Sequence, residues 1–175
     1  MLLETNRLYL RRLEQSALPE LRVFFQDEQV MAAWEHIFSD EEISAWIAEN
    51  PRRNREDGTS YYAVVERSSG QLAGVCGILA EEAGGVSRMS LGYIFRRNRW
   101  GRGYAFESAS ACMKYASRVL RLPEITAQIR PDNLPSRRLA ERLGMTVHGE
   151  FHRRYRGRDV PHLLYYRSLD PGDRG

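Results

Sequence analysis

Residues 90–107 constrain the fold of this chain more than any other stretch, because they read as a strand, a basic glycine loop and the first turn of a helix. The strand contains Gly92, and a glycine inside a strand marks a bulge or a close approach of another part of the chain. Gly101 and Gly103 then permit a tight turn, and the helix that follows offers unpaired N–H groups and the positive end of its dipole. The segment therefore predicts an anion-binding site suited to a phosphate.

Four arginines lie in the same loop, so an ordinary solvated basic loop is an interpretation of equal weight; they are Arg96, Arg97, Arg99 and Arg102. The spacing is unlike that of a dinucleotide-binding loop, because Phe106 stands where the third glycine of that pattern would be. No Gly-Lys-Ser/Thr triplet follows, which excludes a Walker-type loop. The spacing therefore favours a ligand other than a dinucleotide.

Three motifs, in the same order along the chain, resemble those of the GNAT superfamily of N-acetyltransferases. Residues 99–107 are similar to the acetyl-coenzyme A loop of that family, although Asn98 stands where the family prefers glutamine or arginine. Residues 133–145 are similar to its Asn-x-x-Ser…Leu-Gly-Phe segment, and residues 3–8 are similar to its first strand. The opening and the Trp-Gly-x-Gly-Tyr form are most similar to the RimJ and RimL branch, which acetylates the N-termini of ribosomal proteins.

The resemblance implies an α+β fold whose mixed, mainly antiparallel central sheet is splayed between the strands ending near Phe95 and Arg130, with helices on both faces. Acetyl-coenzyme A would lie in that splay as co-substrate, with its pantetheine arm along residues 91–95 and its pyrophosphate on the N–H groups of residues 99–105. No metal is implied. The cofactor-binding residues expected on this basis are Tyr93, Ile94, Phe95, Arg99, Trp100, Gly101, Arg102, Gly103, Tyr104, Ala105, Asn133 and Ser136.

The reaction itself indicates which catalytic groups to seek. An amine that attacks a thioester needs a proton acceptor, a donor for the developing oxyanion and a proton source for the thiolate. A bulge beside Gly92 would free the N–H of Tyr93 or Ile94 as the oxyanion donor. Many family members place the proton source, a tyrosine, where this chain has Ala140. We therefore expect Ser136 to take that role, with a hydrogen bond at the helix N-terminus as its alternative of equal weight.

The proton acceptor is not assigned. The ribosomal-protein branch often has a glutamate two residues before the Gly-Tyr pair, where this chain has Ser90. The side chains within plausible reach are Glu81, Glu82, His36 and His148, and a water relay is the alternative.

Hydrophobic periodicity and turn signals predict alternating short helices and strands. We expect a Trp34-containing flap or hydrophobic hinge over residues 30–38. A capping box at residues 39–42 should open a helix that Pro51 and the charged stretch 52–58 end. The helix after the glycine loop should bury Ala105, Ala109, Cys112, Ala116 and Val119. The remaining elements are strands at 7–11, 60–66, 71–80, 87–95, 124–130, 146–151 and 162–168, and helices at 16–25 and 135–142.

The chain has 175 residues, and we expect one domain over residues 1–169 with a frayed tail at 170–175. Its 26 basic and 23 acidic residues give a net charge of +3, too small to identify a nucleic-acid-binding protein. Cys76 and Cys112 lie outside any CxxC motif, so neither a zinc site nor a disulfide framework is indicated. No signal peptide or membrane span is visible, and we expect a cytoplasmic protein.

We expect acetyl transfer from acetyl-coenzyme A to a primary amine by direct attack in a ternary complex, with a protein N-terminus as the favoured acceptor. A polyamine, an amino acid or an amino sugar stays open as acceptor. The basic aromatic stretch 152–159 is either a loop that attracts an acidic peptide, a phosphorylated metabolite or RNA, or a solvated hairpin tip. Two alternatives of other classes are a nucleic-acid-associated module, against which the interspersed acidic residues argue, and a coenzyme A-binding regulator without catalysis. No membrane partner is expected, and a homodimer is compatible with the resemblance.

Overall fold

The computed structural model of the protein describes residues 3–155 and 157–169, and the tail expected to fray lies outside them. Within that part, eight strands form one sheet in the order β1-β2-β3-β4-β5-β6-β8-β7. The strands are β1 (Leu3–Glu4), β2 (Leu8–Arg12), β3 (Tyr61–Glu66), β4 (Leu72–Ala83), β5 (Val86–Phe95), β6 (Glu124–Ile129), β7 (Thr146–Tyr155) and β8 (Arg158–Ser168). The α-helices are α1 (Leu18–Phe25), α2 (Glu28–Met31), α3 (Asp40–Glu56), α4 (Tyr104–Arg118) and α5 (Leu134–Arg142).

The sheet is splayed between β5 and β6, its one parallel pair among the described strands. The single register pair between them joins Ser90 to Thr126, whereas β5 continues to Phe95 and β6 to Ile129. The side-chain oxygens of Ser90 and Thr126 are 2.7 Å apart, and Thr126 also donates to the carbonyl of Met89 at 3.1 Å. Two buried hydroxyl groups therefore hold the point from which the strands separate, and the expected splay is confirmed.

Helices cover both faces of the sheet, and side-chain alternation along the strands gives each face its own core. On the face covered by α4 and α5, called here the α4 face, Tyr93 and Phe95 pack in one cluster with Cys112. On the opposite face, called here the α1 face, Ile94 packs in a second cluster with Phe25 of α1. Cys112 is thus a core residue, as expected. None of the helices in the described part is long and apolar enough to span a bilayer.

Helix α3 runs through Pro51 and ends at Glu56, inside the charged stretch expected to end it, so the prediction is wrong only for Pro51. Proline has no N–H to donate to the carbonyl four residues earlier, which is that of Ile47. The side-chain amide of Asn50 donates to this carbonyl at 3.4 Å and to that of Trp46 at 2.9 Å. Asn50 also accepts the N–H of Tyr61 at 3.0 Å, so a single buried amide repairs the helix and ties it to β3.

Most other predicted elements agree with the structure to within a few residues, and one further prediction is wrong. Val119 is exposed, because α4 ends one residue before it. In stretch 152–159, β7 continues to Tyr155 and β8 begins at Arg158, with Gly157 in the turn between them. The alternative of a hairpin tip is therefore correct. In β2, Leu8 and Leu10 are both buried on one face.

Candidate active site

The loop before α4 presents backbone N–H groups at an open helix end. Gly101 and Gly103 have φ angles of +72° and +78°, a left-handed region that glycine enters without strain. Gly103 is the N-cap residue of α4 and has no side chain with which to cap the first turn. The first N–H groups of α4 therefore have the arrangement expected of an anion-binding site.

Three side chains of this loop hold the loop itself. The hydroxyl of Tyr104 donates to the carboxylate of Glu66, and Arg99 pairs with the same carboxylate at 3.2 Å. The indole N–H of Trp100 donates to the carbonyl of Phe95 at 2.9 Å. The hydrogen bond from Tyr104 is the largest cause that keeps the pKa of Glu66 below its ordinary value. Any contact of Arg99, Trp100 and Tyr104 with a phosphate therefore falls mainly to their backbone N–H groups.

The N-terminal segment is attached to the same helix end through Glu107. Its carboxylate accepts hydrogen bonds from the hydroxyl of Thr5 at 2.6 Å and the backbone N–H of Arg7 at 2.8 Å. Burial raises the pKa of Glu107, but these bonds outweigh burial and keep the pKa below its ordinary value. The guanidinium of Arg7 also donates to the carbonyl of Arg102 at 2.9 Å. Arg7 thus orients a loop whose shape the sequence analysis attributed to glycines alone.

A groove of about 770 Å³ opens beside this helix end. Its charged lining residues are Arg7, Arg102, Lys114, Arg142, Glu4 and Glu107. The guanidinium of Arg142 lies 4.1 Å from the centre of the Phe106 ring, which gives it a fixed position on the groove wall. Four cations against two anions, one of them already bound by Arg7, suit a ligand that carries several phosphate charges.

A second cavity, of about 200 Å³, occupies the splay and is called here the splay cavity. Residues from both faces of the sheet line it, so it connects the two faces. On the α4 face its lining includes Tyr93, Asn133 and Ser136, and on the α1 face it includes Trp34, Glu35, Glu81 and His162. Trp34 also packs against the α1-face core, so it combines the hinge role expected for it with a place in the cavity wall.

The bulge predicted beside Gly92 is absent from the fully described strands β4 and β5. Their register is unbroken from the pair Gly74–Phe95 to the pair Ala83–Val86. Glycine is required here for another reason, because a Cβ built on Gly92 would lie 2.2 Å from the hydroxyl oxygen of Tyr61. Of the two meanings of a glycine inside a strand, the close approach applies, and the prediction of a bulge was wrong.

Strand alternation alone turns the backbone N–H of Tyr93 toward the splay. The N–H of Arg96 donates to the carbonyl of Ala73 in β4 at 3.0 Å. Because N–H directions alternate along a strand, Ile94 also points its N–H at β4, whereas Tyr93 points its N–H away from it. No residue of β6 is in register with Tyr93, since the pair Ser90–Thr126 is the only one. This geometry favours Tyr93 over Ile94 as the oxyanion donor, and that role stays a prediction.

Known proteins are similar to this chain in sequence and in fold. A family model described as "Acetyltransferase (GNAT) domain" matches residues 7–146. The chain belongs to the GNAT acetyltransferase family. It is similar to the uncharacterised protein YkkB of Bacillus subtilis (strain 168), with 32% identity over 144 residues that cover 82% of this chain and 84% of YkkB.

Solved structures share the fold of this GNAT domain over nearly its whole length. An acetyltransferase (GNAT family) from Bacillus anthracis has a TM-score of 0.81 at 24% identity, with coverage of 97% of this chain and 99% of that one. The RimL ribosomal L7/L12 α-N-protein acetyltransferase in complex with coenzyme A also has a TM-score of 0.81, at 20% identity, with coverage of 98% and 99%. At these identities the likeness establishes the fold.

Two predicted catalytic residues of this acetyltransferase, Tyr93 and Ser136, meet at the α4-face end of the splay cavity. The hydroxyl of Tyr93 donates to the carbonyl of Ser136 at 3.3 Å, and burial raises the pKa of Tyr93 above its ordinary value. Asn133 caps α5 by accepting the N–H of Ser136 at 3.3 Å. Because Asn133 fills the capping role, the side chain of Ser136 is not needed for it. Its predicted role as proton source is untested.

Among the four candidate bases named from the sequence, only Glu81 lines the splay cavity. Glu82 is exposed, and His36 is hydrogen-bonded to Glu42 at 2.9 Å. The ring of His148 lies tilted against that of Tyr166 in β8, with centroids 4.9 Å apart. No group of three or more potential metal ligands lies together among the described residues.

Two residues in the cavity wall, Glu35 and His162, were missed by the sequence analysis. Glu35 has a φ of +48°, and its carboxylate accepts from Arg130 at 2.8 Å and from Arg158 at 2.7 Å. The hydrogen bond from Arg130 is the largest cause that holds the pKa of Glu35 below its ordinary value. Side-chain alternation along β8 is the signal that could have identified His162. Leu163 packs against the α4-face core, so the adjacent His162 faces the other side of the sheet.

Proposed function

We propose that this acetyltransferase transfers the acetyl group of acetyl-coenzyme A to the N-terminal amine of a protein, by direct attack in a ternary complex. The observation that carries the proposal is the splay cavity, which joins a face suited to the cofactor with a face suited to the amine. Direct attack needs both reactants in one space with the reacting atoms close together, and a cavity through the sheet supplies that space.

The α4 face suits acetyl-coenzyme A. The open helix end would take the pyrophosphate, and the basic groove beside it would take the remaining phosphate charge. The C=O group of Tyr93 and the N–H of Phe95, which strand alternation directs into the splay, would pair with the amides of the pantetheine arm as an added strand does. This arrangement would bring the thioester oxygen toward the N–H of Tyr93, where that N–H can stabilise the oxyanion.

The α1 face suits the end of a peptide better than a free metabolite. The splay cavity holds about 200 Å³, below the volume usual for a pocket that encloses a whole small molecule. Its wall carries two carboxylates and two guanidinium groups, from Glu35, Glu81, Arg130 and Arg153. The carboxylates suit an ammonium group and the guanidinium groups suit peptide carbonyls. RimL, which has the same fold, is named for acetylation of ribosomal protein L7/L12, and this agrees with the proposal.

The test has two stages on the wild-type protein. Isothermal titration calorimetry with acetyl-coenzyme A should give saturable binding, and a thiol-release assay should then show turnover with peptides that begin with serine or alanine. Spermidine, free amino acids and glucosamine form the comparison panel. Turnover with one of these and not with peptides would refute the N-terminal acceptor. Saturable binding without thiol release from any amine would favour a coenzyme A-binding regulator.

A further inference from the structure

One imidazole stands in the wall of the splay cavity. The chain has four histidines, at positions 36, 148, 152 and 162, and all four lie in the described part. Of these, His162 alone lines the cavity, where it shares the wall with Gly92 and Tyr93. His152, on the neighbouring strand, is exposed to solvent. An imidazole is the side chain whose ordinary pKa best suits proton transfer near neutral pH.

The protonation site on the His162 ring is set by a backbone carbonyl. Nδ1 lies 3.0 Å from the carbonyl oxygen of Val160, which can only accept a hydrogen bond. Nδ1 therefore carries the proton of the neutral ring, and Nε2 carries the lone pair. The ring of Phe151 stacks on His162, with centroids 5.8 Å apart and an angle of 29° between the planes. Together the carbonyl and the aromatic ring fix the orientation of the His162 ring and leave the lone pair on Nε2.

The surroundings of His162 keep its ring neutral. Burial is the largest cause that lowers its pKa, and the charges of Arg153 and Arg130 lower the pKa further, while the bond to Val160 and the charge of Asp132 oppose them. The other titratable groups in the same wall are Glu35, Glu81, Tyr93 and Tyr155. A neutral ring can accept a proton at physiological pH and does not repel an incoming ammonium group.

The position of His162 in β8 places it on the side from which the amine would enter. Leu163 and Tyr165 belong to the α4-face core, so alternation directs His162 to the α1 face. Tyr93 and Ser136 lie at the opposite end of the cavity, where the thioester would lie. Glu81 lines the α1 face too, but its carboxylate is 4.0 Å from Arg153, and a carboxylate is a weaker base than an imidazole.

We propose that His162 is the catalytic base, with Nε2 accepting the proton that the acceptor amine loses as its nitrogen attacks the thioester carbon. This inference rests on the proposed function. The amine lone pair forms the C–N bond, the carbonyl π pair moves onto oxygen, and the N–H proton passes to Nε2. The oxyanion then re-forms the C=O bond and the C–S pair leaves on the thiolate, which takes one proton from its surroundings. His162 returns its proton to solvent, so that one amine and one thioester give one amide and one thiol.

The test compares the wild type with His162→Gln, which keeps a polar side chain but cannot titrate. We expect kcat for a peptide acceptor to fall about 100-fold or more, with the KM for acetyl-coenzyme A within about twofold of the wild type. The acid limb of the wild-type kcat profile should lie below the ordinary histidine pKa of about 6.5 and should disappear in the variant. Added imidazole should partly restore turnover to His162→Ala. His152→Gln, which changes an exposed histidine, is the matched control and should behave as the wild type.

Two results would overturn the role of His162 alone: a His162→Gln variant with kcat within about threefold of the wild type, or nitrogen-15 NMR spectra that place the ring proton on Nε2. A wild type that acetylates no amine would overturn the proposed function and the base together. A His162→Gln variant that loses turnover but keeps the acid limb would also count against the base, because the titrating group would then be elsewhere.

Discussion

Replacement of Gly92 by alanine tests whether the glycine is required by a neighbour across the sheet. The added Cβ would lie 2.2 Å from the hydroxyl oxygen of Tyr61 and 2.9 Å from Cζ of the same ring, well inside an optimal separation of about 3.5 Å. The ring cannot move freely, because its centroid lies 5.0 Å from that of Trp46. Overpacking of this kind costs about 1–3 kcal/mol in the free energy of unfolding. In a chain of this length, Tm should fall by about 2–12 °C.

The assay is urea unfolding of Gly92→Ala in two backgrounds, wild type and Tyr61→Phe. Loss of the hydroxyl removes the 2.2 Å contact but leaves the one at 2.9 Å, so the cost of Gly92→Ala should shrink without vanishing. We expect a coupling energy of at least about 0.5 kcal/mol between the two sites. Gly149→Ala is the control, because nothing lies within 4 Å of its Cβ, and it should change stability by no more than about 0.5 kcal/mol. The reasoning is refuted if Gly92→Ala is as harmless as the control, or if Tyr61→Phe leaves its cost unchanged.

Three further predictions concern the helix end, α3 and His162. Gly103→Asp should weaken acetyl-coenzyme A binding about fivefold to a thousandfold by calorimetry, because a carboxylate near a phosphate costs about 1–4 kcal/mol. Asparagine tolerates the same backbone angle and carries no charge, so Gly103→Asn should bind acetyl-coenzyme A with an affinity closer to that of the wild type. Equal losses of affinity in the two variants would contradict a charge effect. Asn50→Ala should lower the free energy of unfolding by about 2–4 kcal/mol, since it leaves two buried backbone groups unpaired, and adding Pro51→Ala should recover part of that loss. Folding lowers the pKa of His162, so below about pH 6.5 the unfolded chain binds a proton at this ring more readily than the folded protein does. The contribution of His162 to the free energy of unfolding is therefore present above about pH 6.5 and is lost as pH falls. The stability of the wild type should therefore drop relative to His162→Gln between pH 7.5 and pH 5, and parallel curves would contradict the shift.

Short sequence patterns were enough to predict the elements that depend on residues close together in the chain. The capping box at Ser39 predicts the start of α3, because both of its hydrogen bonds join residues three apart in the chain. The glycine pair at 101 and 103 predicts the turn before α4, because a positive φ favours glycine wherever it occurs. The splay itself followed from the family resemblance, since no periodicity in β5 or β6 indicates that two neighbouring strands separate.

The predictions for Pro51 and Gly92 are wrong because the deciding contact in each case involves another element of the fold. Pro51 does not end α3, because Asn50 replaces the missing donor and is itself held by Tyr61 of β3. Gly92 does not mark a bulge, because the ring that excludes a side chain there also comes from β3. His162 was overlooked for the same reason, since its cavity is built from strands that are neighbours only in the folded sheet. A sequence pattern reports one segment at a time and cannot report these pairings.

The position of Ser90 explains why a base is needed on the wall of the splay cavity. The ribosomal-protein branch often has a glutamate at this position, but here the side chain is buried and bonded to Thr126 at the point where the strands separate. A serine hydroxyl is too weakly basic to take a proton from an amine near neutral pH, and this one is already hydrogen-bonded. The residue that holds the splay together thus cannot also accept a proton from the amine. The α1-face wall, where β8 directs His162 into the same cavity, is therefore the part of the described chain best placed to supply the base.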